Sequence, residues 1–335
     1  MRKRIFLYLF FISLLLIVVS ITWLYNKVDS ALPLLNGKAT VLNLQNTTII
    51  NRDNQGVPTI KAKSRHDIAI ATGFIHAQER FFQMDLLRRK SAGELASLFG
   101  SPALNYDKSI RRHRFRDRAK TIIDNLPDSQ RLLLKAYTSG VNQGLSYLRA
   151  NPFEYLLLQQ EPMPWNEEDS ILTIFSMYVD LQYHDGQRER SLGLMKAILS
   201  ADVYAFLNPE GSIWDAAIDN SQFQPSPLPT KAWPSASTAL TYPSHTPASH
   251  TPASQNIDVA KNKYQEDEFP GSNSWAISGE ISSTGSAIIA NDMHLGIRVP
   301  NTWFRASFEY LVNNLPVKVT GATLPGTPNI VVGSN

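Results

Sequence analysis

The 335-residue chain contains no cysteine. That excludes a disulfide framework, a thiolate metal site and a thiol nucleophile, and it leaves serine or threonine for any covalent acyl chemistry. Charge is also sparse: charged residues make up 18% of the chain and the net charge is only +3, part of it from Arg2, Lys3 and Arg4. No basic patch with interleaved aromatics is present, which argues against a nucleic-acid partner. The densest basic run, Arg111-Arg112-His113-Arg114-Phe115-Arg116, reads as a solvated or ion-paired segment. The length suggests about two domains.

What the chain has in abundance lies at its start. Residues 5–25 form an uncharged apolar run interrupted only by Ser13, Ser20 and Thr22. At ~1.5 Å per residue it can cross a hydrocarbon core of ~30 Å, whereas the apolar core of a secretory signal is usually only ~7–15 residues. The following Asn26-Lys27-Val28-Asp29-Ser30-Ala31-Leu32 makes a poor small-x-small cleavage site. Residues 1–25 therefore read as an uncleaved signal anchor in preference to a cleaved signal peptide. The positive flank stays in the cytoplasm and the rest faces outward. The expected location is the cell envelope, on the periplasmic or extracytoplasmic side of the inner membrane.

Residues 26–45 read as a short tether. Within 46–218 the pattern is mostly helical. It opens with a strand pair, at 47–51 and 59–61, around the turn residues Arg52-Asp53-Asn54-Gln55-Gly56. A helical stripe follows from Asp67 through Ile68, Ala71, Ile75, Phe82 and Leu86, weakening at Gln78 and Glu79. Gly93 and Gly100 punctuate two shorter helical pieces. Further helices are predicted over 128–148, from Asn166-Glu167-Glu168-Asp169 through Tyr178, over 189–199 and over 202–207. The composition then shifts. Residues 219–268 are rich in Pro, Ser, Thr, Ala, Asn and Gln, with a tandem Ser-His-Thr-Pro-Ala at 244–248 and 249–253. Such a stretch cannot bury enough apolar surface to offset its ordering entropy. It is either a plain linker or a spacer removed on maturation, and its place just before Gly271-Ser272 favours the second. From residue 272 the chain is strand-like, with short runs at 275–278, 287–290, 303–311 and 317–320.

The junction Pro270-Gly271-Ser272-Asn273-Ser274-Trp275-Ala276 is the most informative stretch. A cut between Gly271 and Ser272 would expose an N-terminal serine. Its free α-amine, with a pKa near ~7.7–8.0, can accept the hydroxyl proton directly or through one water and activate the oxygen for attack on an amide. Gly271 has no side chain over the carbonyl that the hydroxyl must reach. Downstream come Ala290-Asn291-Asp292-Met293-His294, Val299-Pro300-Asn301-Thr302-Trp303-Phe304, Gly321-Ala322-Thr323-Leu324-Pro325-Gly326 and Gly333-Ser334-Asn335. Upstream are Arg52-Asp53-Asn54-Gln55-Gly56-Val57-Pro58, His76-Ala77-Gln78-Glu79-Arg80, Arg88-Arg89 and Gly93-Glu94-Leu95-Ala96. In this order the set resembles the penicillin acylase family of N-terminal-nucleophile (Ntn) amidohydrolases, over roughly 45–215 and 269–335.

The resemblance implies an α+β fold, a four-layer αββα sandwich of two stacked antiparallel sheets, incomplete over this length. The divisions would be an α-subunit-like helical domain at 46–218, a spacer at 219–271 and the start of the nucleophile-bearing β subunit at 272–335. The two would form an α/β heterodimer after self-cleavage at Gly271-Ser272. It also implies Ser272 as nucleophile, with His294 and Asn273 near it, and an acyl pocket gated at Val179, Gln182 and Tyr183. Glu189 would be a ligand of a structural calcium ion, and no organic cofactor is implied. The substrate would be a small N-acyl amide. The family's oxyanion-hole residues fall beyond Gly333-Ser334-Asn335, so the chain as it stands reads as an N-terminal portion, inactive alone. The competing reading is a non-catalytic, envelope-anchored binding module that is never processed.

Overall fold

The computed structural model describes residues 2–181, 186–217, 219–230, 271–295 and 298–335. The apolar run forms helix α1 (Arg2–Ser30), exposed from Arg4 to Val28 and, at a mean hydropathy of 2.8, long and apolar enough to cross a membrane. The helix continues five residues past the apolar stretch. A hairpin follows, β1 (Ile49–Arg52) and β2 (Pro58–Lys61), antiparallel with Ile50 opposite Ile60. Its turn is held by the Asp53 carboxylate, which accepts the backbone N–H groups of Gln55 and Val57, both at 2.9 Å.

Helix α2 (Arg65–Ala92) is the centre of the molecule. Ser64 caps it, accepting the Asp67 N–H at 3.2 Å, and Gly93 ends it in the left-handed conformation at φ 68°, which a residue without Cβ adopts at no steric cost. Every residue from 67 to 78 is buried. The helix is covered on all sides rather than along the one stripe that its periodicity suggested. Short helices α3 (Ala96–Phe99), α4 (Leu104–Arg111) and α5 (Phe115–Asp124) lead to α6 (Asp128–Ser146), then α7 (Phe153–Leu158) and α8 (Glu167–Asp180). Of these, α5 and α7 were not foreseen. Helices α2 and α6 cross closely: a Cβ placed on Gly140 would lie 2.0 Å from the Ile70 carbonyl oxygen, and one on Gly144 2.3 Å from that of Phe74. Only glycine permits that backbone approach.

Helices α9 (Gln187–Ile198) and α10 (Ala201–Leu207) belong to a second packing unit, Gln182–Phe269; Met1–Leu181 and Pro270–Asn335 together make the first. Packing units and the proposed processing segments are thus different divisions of the chain. Most of the spacer lies outside the described residues.

After the spacer come β3 (Gly271–Ile277) and β4 (Ile288–His294), then β5 (Phe304–Val312), β6 (Leu315–Thr323) and β7 (Ile330–Ser334). Strand β7 was not foreseen. Asn313 and Asn314, both at positive φ, make the two-residue turn between β5 and β6. The strands form two sheets, β1-β2-β5-β6-β7 and β3-β4. One expectation is corrected: the larger sheet is not antiparallel throughout, because β2 runs parallel to β5, with Ile60 opposite Phe308. A parallel neighbour is possible here because the long helical excursion between them supplies the crossover. One face of this sheet packs on α2, Ile60, Phe304, Ala306 and Phe308 meeting Ile68, Ala71, Phe74 and Ile75. The architecture is mixed helix and sheet, and the described residues contain one helix-backed sheet and a separate two-stranded one.

Candidate active site

Strands β3 and β4 pair along their whole length, with Gly271 opposite His294, Ser272 opposite Met293, Asn273 opposite Asp292 and Ser274 opposite Asn291. The proposed nucleophile is therefore the second residue of its strand, and the backbone of His294 lies across from the residue that precedes it. Ser274 donates its hydroxyl hydrogen to the Asn291 side-chain oxygen at 3.0 Å, tying the strands beside Ser272. Ser272, Asn273, Ser274, Asn291 and Asp292 are exposed, and Met293 is half-buried. At its far end the hairpin is closed by a tight loop: a Cβ on Gly279 would meet the Gly285 carbonyl oxygen at 2.4 Å.

The other predicted site residues are spread out. Val179 is half-buried near the end of α8, while Gln182 and Tyr183 lie outside the described residues. Glu189 is exposed in the first turn of α9. A calcium ion takes about six to eight oxygen ligands, and no group of three His, Cys, Asp or Glu side chains gathers among the described residues. A cavity of about 640 Å³ opens in the helical part, lined by residues that include Arg89, Lys108, Arg111 and Asp169, with none from 271–335.

What the structure brings together around the two halves is a set of clasps. Several of the upstream signature residues are used in buried or half-buried ion pairs. Asp85 accepts from Arg88 at 2.7 Å, from Arg89 at 2.9 Å and from the Tyr155 hydroxyl at 2.6 Å. Arg88 also reaches Asp169 at 2.6 Å and the carbonyls of Met163 and Pro164. Asp169 in turn accepts the Asn166 N–H that opens α8, at 2.8 Å, and a contact from Arg116 at 3.2 Å. The basic run at 111–116 is accordingly ion-paired at Arg116, which is also forked onto Glu94 at 2.7 Å through two nitrogens. Arg52 pairs with Glu79, whose pKa burial raises against the opposing pull of Arg52 and Arg80.

A second set of contacts ties the helical part to the later strands. Arg80 and Gln83 both donate to the Asn301 carbonyl, at 3.2 and 3.0 Å. Lys61 pairs with Glu309 at 2.7 Å. At the centre stands His76, fully buried on α2, a residue to which the sequence pattern assigned no role. Its partners settle the protons. The Thr323 hydroxyl donates to the Phe304 carbonyl at 2.9 Å, so it accepts from His76 Nε2–H at 2.9 Å. The Tyr137 hydroxyl accepts the Gly326 N–H at 2.9 Å and donates to His76 Nδ1 at 2.9 Å. The ring is neutral; burial, then Arg80, lowers its pKa from 6.5 to about 3. The chain of bonds fixes the loop before β7 onto α2 and α6. No local signal could have revealed it, since Tyr137 and Thr323 are 61 and 247 residues from His76.

The penicillin amidase family matches residues 47–335. The chain belongs to this family. Among its relatives, the penicillin acylase 2 proenzyme of Pseudomonas sp. (strain SE83) is 28% identical over 90% of this chain and 36% of its own length. The acyl-homoserine lactone acylase QuiP of Pseudomonas aeruginosa is 26% identical over 94% of this chain and 35% of its own. The chain thus spans about a third of the length of these relatives. Among solved structures, a thermostable penicillin G acylase from Alcaligenes faecalis aligns with a TM-score of 0.42 and 22% identity, over 56% of this chain and 98% of its own.

Proposed function

We propose that this penicillin amidase family member carries the nucleophile of a membrane-anchored hydrolase of linear amides, made as a precursor and cut between Gly271 and Ser272. The observation that carries the reading is the junction itself: a Gly-Ser bond at the start of an exposed hairpin, in a chain of this family, directly after a polar spacer. In the precursor the Ser272 hydroxyl attacks the Gly271 carbonyl carbon. The C–N bond breaks, an ester forms, the hydroxyl proton passes to the freed amine, and water hydrolyses the ester. In the mature protein the Ser272 amine takes the hydroxyl proton as the oxygen bonds to the substrate carbonyl. The proton passes to the leaving amine as the amide bond breaks, and water then cleaves the acyl-ester.

His294 and Asn273 are proposed to orient the amine and hydroxyl, and the 179–183 segment to shape the acyl side. The substrate class is an N-acyl amide; the names of the relatives suggest penicillins and acyl-homoserine lactones as the compounds to try first. Helix α1 is proposed to hold the protein in the inner membrane with its body outside. Pairing of β2 with β5 and the Arg80, Lys61 and His76 contacts support an α/β pair that stays assembled once the bond is cut.

The test is hydrolysis of a chromogenic phenylacetyl amide and a long-chain acyl-homoserine lactone by the full-length protein and its Ser272→Ala variant. Turnover by the parent and background rates for the variant are expected on at least one substrate. Equal turnover by the variant would remove Ser272 from the mechanism.

A further inference from the structure

The segment between α1 and β1 reads from sequence as a tether, yet it is fastened to the body at Leu34 and again from Thr40 to Asn46. The Leu34 N–H donates to Gln78 at 3.0 Å and the Thr40 N–H to the Tyr147 hydroxyl at 3.2 Å. Leu42 exchanges two hydrogen bonds with the Gln143 amide, at 2.5 and 3.2 Å. The N–H groups of Gln45 and Asn46 both end on the buried Asp67 carboxylate, at 2.8 and 3.1 Å. Val41 and Leu44 pack on the core. Helix α1 itself is clasped at its end: the Ala150 N–H donates to the Ser30 carbonyl at 3.1 Å, and Arg149 pairs with Asp29 at 3.1 Å.

We propose that this segment is a rigid strut, and that it holds the face around the end of α1, formed by Leu32, Leu35, Phe153 and Leu157, against the headgroup layer of the phospholipid bilayer. The proposal rests on the membrane span proposed above. The apolar run ends at Tyr25, and the five further helical residues to Ser30 add roughly 7.5 Å. That is close to the thickness of one interfacial layer, since the bilayer with headgroups is ~40–45 Å against ~30 Å of hydrocarbon. A span of this length therefore sets Ser30, and Ala150 bonded to it, at the membrane surface.

The chain on either side of this contact carries exposed apolar side chains. Leu32 and Leu35 are each 58% exposed, Phe153 is 48% exposed and Leu157 is 75% exposed. Phe153 and Leu157 stand four residues apart on α7 and so share one face, while Tyr155 turns inward to Asp85. Charge does not choose the partner, because Lys27 and Arg149 are offset by Asp29, Glu154 and Glu161. Continuity with the span does.

Within these 335 residues no cysteine competes for the label. Phe153→Cys, Leu157→Cys and, as a far-end control, Gln130→Cys each accept a single bimane label. Gln130 lies on α6 roughly 24 Å along the helix from Ser146. The full-length protein is placed in phosphatidylethanolamine–phosphatidylglycerol vesicles carrying a nitroxide at the headgroup. Strong quenching at 153 and 157 with none at 130 is the expected result. Equal emission with and without nitroxide at 153 and 157, in protein that resists salt but yields to detergent, overturns the docking while leaving the anchor intact. Release by salt alone overturns the anchor and the docking together. Blue-shifted but unquenched emission at 153 and 157 assigns the face to another polypeptide, again against the proposal.

Discussion

Replacing His76 by leucine gives a sharp test of the buried network, because two effects of known sign oppose each other. At neutral pH the substitution leaves the Tyr137 hydroxyl without the acceptor it has at 2.9 Å, whereas Thr323 keeps its bond to Phe304 and Tyr137 still accepts from Gly326. One stranded buried donor costs about 1–3 kcal/mol. Acid works the other way. The folded pKa of His76 is lowered from 6.5 to about 3, so as pH falls the unfolded chain takes up the proton first. Titration of this residue leaves wild-type stability unchanged above the unfolded value. Below it, the residue removes about 1.36 kcal/mol per pH unit until the folded pKa is reached. By pH 5 that is about 2 kcal/mol, a loss the leucine variant does not suffer. Equilibrium urea unfolding, followed by tryptophan fluorescence at pH 7.5, 6 and 5, should show the variant weaker at pH 7.5 and near parity by pH 5. His76→Gln, which keeps one donor and one acceptor without titrating, should flatten the acid limb at a smaller neutral-pH cost. A wild-type–leucine gap that stays constant across this range would refute the buried neutral histidine.

Other substitutions probe the helical scaffold. Asp85→Ala leaves the buried Tyr155 hydroxyl without its acceptor and takes a carboxylate from Arg88 and Arg89, which keep Asp169 and Ser97, and should cost about 3–5 kcal/mol, read as a fall in urea midpoint or loss of folded protein. Gly140→Ala puts a methyl 2.0 Å from the Ile70 carbonyl, where backbone must yield, and should cost about 1–3 kcal/mol or more by the same measurement, with Ala136→Gly as a milder reference on the same helix. After processing, the two polypeptides should co-elute in size-exclusion chromatography and separate only in denaturant, because strand pairing and the Arg80, Lys61 and His76 contacts cross the cut.

Much of the secondary structure was legible because it is written locally. The apolar stripe from Asp67 and the glycine at 93 mark α2, Asn166 with Asp169 opens α8, and the turn residues at 53–56 announce the first hairpin. Helix α5 went unread because it begins in a basic run taken only as solvated or ion-paired. The partners of its Arg116, Glu94 and Asp169, are brought near only by tertiary folding. Strand β7 was hidden because Gly333 and Ser334 look like turn residues, although Gly333 is the position where a Cβ would lie 2.2 Å from the Thr320 carbonyl of the neighbouring strand. The parallel β2–β5 pair joins segments about 250 residues apart, and no local pattern encodes such a pairing. At the candidate site, the sequence suggested Ser272 and His294 as neighbours through a family likeness, and the strand register puts residue 294 opposite 271. The contacts of the segment before β1 were not legible either: backbone N–H groups of Leu34, Leu42 and Gln45 find the side chains of Gln78, Gln143 and Asp67, which lie far along the chain.

The central claim is that Ser272 becomes a chain terminus. The direct measurement is the N-terminal sequence and intact mass of every polypeptide in protein purified from cells, for the parent and for Ser272→Ala. The account predicts a polypeptide in the parent that begins Ser-Asn-Ser-Trp, at residue 272, and its absence from the variant, which should remain uncut at that bond. A parent that persists as one uncut chain, or a Ser272→Ala variant cleaved at the same bond, would contradict it.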